Sequence, residues 1–342
     1  MEPKRKILTP ADLKLFTESN DYLNYLDFIL KCSTAVIGKK LTDDFDQSPF
    51  VCQLLQLLTK VEALVLKAPP LEHDSRFGNP QFRLFFDLLK KESQDWLLFI
   101  PQEHRVELSS YLNHSFGDRQ RIDYGTGHET NFMVFLYGCF ALHLVNSNEF
   151  DVLILVVFYQ YLQLMRKIQI AYLLEPAGSH GLWGLDDYHM LPFLFGAYQL
   201  INHKFIKPKS IHDLETVDFY AKDFLYLGCI KFINQIKSVS LKWHSPMLND
   251  ISGVKKWDKV AEGMMKMYKG EVLGKLPVMQ HFLFGTFITF NGPPIEENKS
   301  FDGHEHVYGM GQMFPDCCGM RLPSSIAASG LAYKNKKELP FD

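Results

Sequence analysis

Three dipeptides, Thr9-Pro10, Ser48-Pro49 and Asn79-Pro80, each set a capping side chain before a proline suited to the first helical turn. This punctuation constrains the fold more than any other feature, because apolar residues at three- and four-residue spacing follow each one. Segment 10–37 holds Leu13, Phe16, Leu23, Leu26 and Leu30 in register, and 49–67 holds Val51, Leu54, Leu55, Leu58, Val61 and Leu64–Val65. A third segment, 80–100, stops at Pro101, and the same spacing predicts helices over 103–114, 127–146, 148–174, 187–202, 214–238 and 255–282. Strand signals are weak. FLFGTFITF (282–290) alternates loosely before Asn291-Gly292-Pro293 and reads as a short strand or an extended segment. Strands do not alternate with helices, so a doubly wound parallel sheet is not expected. The prediction is an all-α body over 1–290, followed by an irregular tail at 291–342 with Gly, Pro, Ser and Lys but few apolar runs.

Charge narrows the function classes. Against 36 Lys and Arg stand 39 Asp and Glu, a formal net charge of −3 that supplies no footprint for nucleic acid or an anionic membrane. MEPKRKILTP has basic residues without a following apolar stretch, so no secretory signal is read there. The most apolar run, VLILVVFY at 152–159, is far shorter than the ~20 residues that span a bilayer. Cysteines at 32, 52, 139, 229, 317 and 318 form no CxxC pair, which suits reduced thiols in the cytosol, with the nucleus as a second address.

Glycine-marked stretches carry the chemistry. In RIDYGTGHE (121–129), Gly125 and Gly127 turn the chain into a helix whose free N–H groups favour phosphate, with Arg121 adding charge and Thr126 a hydroxyl. The alternative is a plain turn, with Thr126 as cap and Glu129 completing it. Neither GxxxxGK[ST] nor GxGxxG occurs: Gly270–Lys275 is one residue short and 125–130 reads GTGHET. EPAGSHGLWGLDDYHMLPF (175–193) brings three glycines, Trp183 and paired carboxylates together. Asp186 and Asp187 either oppose the dipole in the first turn of the helix predicted at 187–202, or hold a hard cation such as Mg²⁺ beside phosphates. His180 and His189 read as hydrogen-bonding residues. In KMYKGEVLGKLPVMQHFLFG (266–285), Pro277 interrupts a helix next to Gln280 and His281. There a loosened backbone would meet a ligand's base or ribose; a satisfied core histidine is the other reading.

These three stretches, in this order, resemble the phosphotyrosyl phosphatase activator family, whose members activate serine/threonine protein phosphatase 2A. The likeness spans about 6–290, and the tail is similar to that of fungal members. Leu276 stands where many members carry Phe. The resemblance implies an all-α body of core, linker and lid regions around a deep cleft. It implies ATP-Mg²⁺-dependent reactivation of the phosphatase catalytic subunit and of related phosphatases, a peptidyl-prolyl cis/trans isomerase activity on a proline-containing segment, a composite ATPase in the complex and a peptide-dependent homodimer. Nucleotide contacts would fall on Arg121, Thr126, Gly127, Gln280, His281 and Phe282. Metal contacts would fall on Asp187 and a backbone oxygen near Gly181, and the loop with Trp183 and Asp186 would meet peptide or phosphatase. The alternative is a helical scaffold that binds the phosphatase with no nucleotide or isomerase chemistry.

Overall fold

Thr9 does what its position predicts. In the computed structural model, which describes residues 1–72, 78–177, 185–237, 241 and 245–292, Thr9 is the N-cap of α1 (Pro10–Thr17). Its Oγ1 accepts the Asp12 N–H at 3.2 Å, and the Asp12 carboxylate accepts the Thr9 N–H at 2.8 Å, a reciprocal capping box. Ser48 caps α3 (Pro49–Lys67) through the Val51 N–H at 3.3 Å. The single helix expected over 10–37 breaks in two because Ser19 caps α2 (Asn20–Ala35), its Oγ accepting the Tyr22 N–H at 3.2 Å. Asn79 is committed otherwise. Its side chain accepts the Gln81 N–H at 3.1 Å and donates to the Leu71 carbonyl at 2.8 Å, and α4 (Phe82–Trp96) begins later.

Helices continue through α5 (Gln102–His114), α6 (Thr126–Ala141), and a rod of α7 (Phe150–Val152), a π-helical stretch (Leu153–Phe158) and α8 (Tyr159–Tyr172). Next come α9 (Leu191–Gln199), α10 (Leu214–Tyr220) and α11 (Leu225–Ile236). Then follow α12 (Pro246–Ser252), α13 (Trp257–Met267), a second π-helical stretch (Tyr268–Leu273) and α14 (Leu276–Met279). The predicted all-α class holds. By length and composition alone α3 would cross a bilayer. Its stripe of Val51, Leu54, Leu57, Leu58, Val61 and Leu64 is buried, however, and the helix packs on α4 and α8 as part of the core.

Every residue of α9 is buried, and α9 packs on α2, α11 and α13. Gly196 permits this. A Cβ there would lie 2.2 Å from the Tyr226 nitrogen and 2.8 Å from its Cα, so α9 and α11 meet backbone to backbone.

Four two-residue strands among the described residues close the chain on itself: β1 (Lys4–Arg5), β2 (Asp123–Tyr124), β3 (Glu175–Pro176) and β4 (Leu283–Phe284). β1 runs antiparallel to β4, opposing Lys4 to Phe284 and Arg5 to Leu283, which settles the expectation for FLFGTFITF as a short strand. β2 runs parallel to β3, opposing Asp123 to Glu175 and Tyr124 to Pro176. Beyond β4 the buried Glu107 accepts the Thr286 N–H and hydroxyl at 2.7 Å each and the Phe287 N–H at 3.1 Å. That carboxylate fastens the segment to α5. Of the tail expected at 291–342, positions from 293 onward lie outside the described residues, as do Cys317 and Cys318.

Gly196→Ala is expected to lose more than about 2 kcal/mol of stability by overpacking. Gly263→Ala, inside α13 with nothing within 4 Å of the new Cβ, is expected to gain a few tenths to about 1 kcal/mol from helix propensity. Denaturant midpoints followed by circular dichroism check both; equal midpoints for the two variants would contradict the close contact of α9 and α11.

Candidate functional site

The site is built from a reversal at 118–122. The Asp118 Oδ1 accepts the N–H groups of Gln120 and Arg121 at 2.9 Å each, an Asx turn. Ile122 then adopts φ +55°, a conformation costly for a β-branched residue. Two hydrogen bonds hold it there: its N–H donates to the Asp118 carbonyl at 2.9 Å, and its carbonyl accepts the Glu175 N–H at 3.0 Å. The second of these starts the β2–β3 pairing, which the Ala177 N–H extends to the Tyr124 carbonyl at 2.8 Å. Gly125 faces Ala177 so closely that a Cβ would sit 2.8 Å from the Ala177 carbonyl oxygen. The glycine-marked segment at 121–128 therefore meets residues 175–177, where the second glycine-marked stretch begins.

A buried carboxylate ties the same segments a second time. Glu129, in the first turn of α6, is fully buried and accepts three hydrogen bonds of 2.9 Å, from His189 Nδ1–H and from the N–H groups of Met190 and Leu191. This corrects the expectation for Asp186 and Asp187. The helix predicted from 187 begins at Leu191, with Pro192 in its first turn, and Glu129 meets the dipole that the aspartates were expected to oppose. The two aspartates precede the helix. Asp186 accepts the Asp187 N–H at 2.7 Å, and the Asp187 carboxylate lies 3.3 Å from Lys237 Nζ. Thr126 is likewise not a cap. It is the first residue of α6, after Gly125 as N-cap with no side-chain hydrogen bond. Gln169 Nε2 lies 3.0 Å from His189 Nε2; an amide nitrogen only donates, so that ring nitrogen accepts and Nδ1 carries the proton given to Glu129. His189 is the hydrogen-bonding residue that was expected, with both ring nitrogens engaged.

Between the start of α6 and residues 275–282 lies a cavity of about 360 Å³. Arg121, Thr126, Gly127, His281 and Phe282 all line it, so five of the six nucleotide-contact candidates come together. Gln280 stands beside the wall, its Nε2 3.5 Å from both the Pro277 carbonyl and His281 Nε2. Asp186 and Asp187 are not on the wall, while Gly181 and Trp183 lie outside the described residues. Tyr188 is buried and donates to the Leu174 carbonyl at 2.6 Å, and Phe193 is buried against Tyr226.

Sequence reasoning missed Arg5, His114, Asp118, Asp123, His128 and Asn131 on this wall. Arg5 arrives only because β1 pairs with β4. Asp118 and Asp123 stood in view, three and two residues from Arg121. Arg121 Nε donates to Asp123 Oδ2 at 2.7 Å, and Nη1 lies 3.6 Å from Asp118 Oδ2. Burial alone would push the Asp118 carboxyl up, but the Arg121 guanidinium and the backbone N–H bonds outweigh it and hold the carboxyl down at about 2. Burial, reinforced by the charges of Arg121 and Arg5, pushes the His281 imidazole down to about 2, and burial pushes His114 down to about 4. Both rings are neutral near pH 7.

The cavity is left with groups that still want partners. The N–H groups of Thr126 and Gly127 take none among the described residues, which leaves an open helix N-terminus on the wall. His281 Nδ1, Asp123 Oδ1 and Asn131 Oδ1 are buried without a hydrogen-bond partner. The wall thus offers cationic donors at one place and bare acceptors at another. That suits a ligand with an anionic end and N–H or O–H groups elsewhere. No cluster of three or more His, Cys, Asp or Glu side chains fit to hold a metal occurs among the described residues.

Residues 3–290 match the family model described as phosphotyrosyl phosphate activator (PTPA) protein. The chain is 45% identical to serine/threonine-protein phosphatase 2A activator 2 of Saccharomyces cerevisiae, over 100% of both chains. It is 46% identical to the protein of the same name from Candida albicans, over 99% of each. Among solved structures, that of the PP2A phosphatase activator Ypa1 PTPA1 superimposes with a TM-score of 0.78 at 32% identity, covering 84% of this chain and 95% of that one.

Asp118 yields a pH prediction. Its carboxyl lies at about 2 against an ordinary 3.8, worth about 2 kcal/mol of stability. That contribution is complete above about pH 4 and is lost as pH falls through about 2. Asp118→Asn is therefore expected to be about 2 kcal/mol less stable than the wild type at pH 7, with the two stability curves converging toward pH 2. Parallel curves in acid titration would contradict the pairing.

Proposed function

The chain belongs to the PTPA family, and from that premise we propose that it activates serine/threonine protein phosphatase 2A by binding the catalytic subunit together with ATP and Mg²⁺. The observation that carries the nucleotide reading is the cavity itself, where an open helix start, Arg121 and bare buried acceptors face one space. Its volume falls within the roughly 300–1,000 Å³ of small-ligand pockets. Phosphate oxygens would take the Thr126 and Gly127 N–H groups and Arg121, since helix N-termini and guanidinium forks are strong anion donors. The base or ribose would take His281 and Asn131, against the ring of Phe282, with Gln280 at the rim.

Magnesium, when bound, supplies positive charge against the phosphate oxygens. One or two carboxylates with substrate phosphates make up an ordinary Mg²⁺ donor set, and Asp187, which stands off the cavity wall, would supply one such carboxylate by exchanging Lys237 for the cation. A backbone oxygen near Gly181 would complete the protein's share. Activation then needs no nucleophile in this chain. A partner shifts the phosphatase between conformers only through its differential affinity for them. ATP serves as the bridging ligand, and its hydrolysis belongs to the complex.

The isomerase activity belongs to the same reading. Rotation about X–Pro faces a barrier of ~18–20 kcal/mol, and a dry apolar surface lowers it by stripping water from the amide. Trp183 is the residue for that role, with Asp186 in the same loop. Burial pushes the Asp186 carboxyl up, toward the neutral form that suits such a surface.

Isothermal titration of ATP-Mg²⁺ into the chain, with and without phosphatase catalytic subunit, tests the proposal. Arg121→Gln is expected to weaken binding at least tenfold, the loss of one charge-assisted contact of about 1.5–3 kcal/mol. Asp187→Ala is expected to abolish ATP-dependent reactivation with an unchanged circular dichroism spectrum; full reactivation by it would sink the metal assignment. No heat even with both proteins present would leave a helical scaffold without nucleotide. For the isomerase, a protease-free assay is expected to show Trp183→Ala turning over at least tenfold more slowly, and unchanged turnover would remove Trp183 from the mechanism.

A further inference from the structure

A second concavity lies apart from the cavity just described. Bordered by α8, α10 and α11, an open groove of about 590 Å³ shares no lining residue with it. The groove is apolar along Leu162, Ile170, Leu225 and Phe232, yet four cations line it, Arg166, Lys167, Lys222 and Lys231, against the single carboxylate of Asp218. Two of the four are already neutralised: Lys167 pairs with Glu62, and Lys231 Nζ lies 3.1 Å from Asp218.

Arg166 and Lys222 have no carboxylate partner among the described residues. The Arg166 guanidinium stacks 4.4 Å above the Phe232 ring, and its Nη2 donates to Cys229 Sγ at 3.3 Å. Its Nε is buried with no partner at all. A thiol is a weak acceptor, and burial pushes the Cys229 thiol up to about 12, so it gives Arg166 no counter-charge. Lys222 Nζ lies 5.4 Å from the centre of the Phe219 ring. An Arg held this way presents a fork that matches a carboxylate and lacks one.

The rim beside Lys222 is greasy. Phe219 is 63% exposed, Leu214 64% and Phe205 80%. Ring contacts link Phe219 and Phe205 into one surface: Phe219 to Tyr220 at 4.8 Å, Tyr220 to His203 at 6.4 Å and His203 to Phe205 at 6.5 Å. Lys204, Lys207 and Lys209 flank Phe205 along the chain. Contiguous exposed apolar surface of this kind marks a protein contact, and the surplus of cations selects the sign of what contacts it.

We propose that this groove docks an acidic segment of a protein partner, its carboxylates on Arg166 and Lys222 and its apolar side chains over Phe219 and Phe205. The apolar lining and aromatic rim favour such a segment over a bare polyanion, which would leave that surface uncovered.

Fluorescence anisotropy of the full chain with a fluorescein-labelled peptide of alternating glutamate and phenylalanine tests this. Saturable binding that weakens with added salt is expected, and a glutamine–phenylalanine peptide of equal length is expected to bind at least tenfold more weakly. Arg166→Gln, and separately the exposed Lys222→Glu, are each expected to weaken the glutamate peptide at least tenfold. Arg121→Gln is expected to leave it unchanged, so a failure of this proposal is distinguishable from a failure of the nucleotide site. Equal affinity for the glutamine peptide, wild-type affinity in Lys222→Glu, or loss of binding in Arg121→Gln would each overturn the proposal. So would displacement of the peptide by polyuridine or phosphatidylserine vesicles at equal charge concentration.

Discussion

Glu129 has no access to solvent, and its three donors come from a segment sixty residues away. A carboxylate so buried would cost several kcal/mol if left unmet, and removing a partner of such a group typically costs 3–5 kcal/mol. The protein meets it with two backbone N–H groups at the start of α9 and one imidazole, which Gln169 orients in turn. The start of α6 is thereby locked to the start of α9. With β2 on β3 as a second tie, the chain leaves at Ala177 and returns at Leu185 between two fixed posts. Glu107 repeats the device, taking the Thr286 and Phe287 N–H groups and so pinning the segment after β4. The cavity lies among elements that these buried carboxylates hold in place.

That rigidity explains how the cavity tolerates groups a core would not. Buried polar atoms are nearly always paired, yet two acceptors and one imidazole N–H on this wall are bare and, among the described residues, two helix N–H groups stand open. Ile122 adds backbone strain of order 1–3 kcal/mol at the same place. Such a collection survives only where the surroundings over-determine it. His114 and His281 contribute by being neutral: protonated, His281 would meet the charges of Arg121 and Arg5.

The local part of this was legible. Thr9 and Ser48 announced their helices because a cap, a proline and an apolar stripe lie within one turn of each other. Asn79 had the same look and did something else, since its side chain found Leu71 first. The start of α9 was misplaced for a related reason: the aspartates beside it are the obvious dipole partners, and nothing local reveals that Glu129 has taken the role. The glycine turn and the Pro277 break pointed to Arg121, Thr126, Gly127 and His281, the family resemblance added Phe282, and all five line one cavity. Arg5 was beyond reach. A two-residue strand pairing residues 4–5 with 283–284 leaves no periodic trace, so the only signal was a basic start already read for another purpose.

The two concavities sit on one frame, and this decides how they can cooperate. α9 begins on Glu129, beside the cavity, and its flank rests on α11, which borders the groove. Coupling by conformational change would need an element with two discrete arrangements. The α9–α11 contact is a poor candidate, because at Gly196 the backbones already touch and neither helix can slide without collision. A rigid joint transmits position instead of motion. A client held at the groove would raise its own effective concentration at the cavity, with no change in either site, and the gain would depend on the length of chain joining the two contacts.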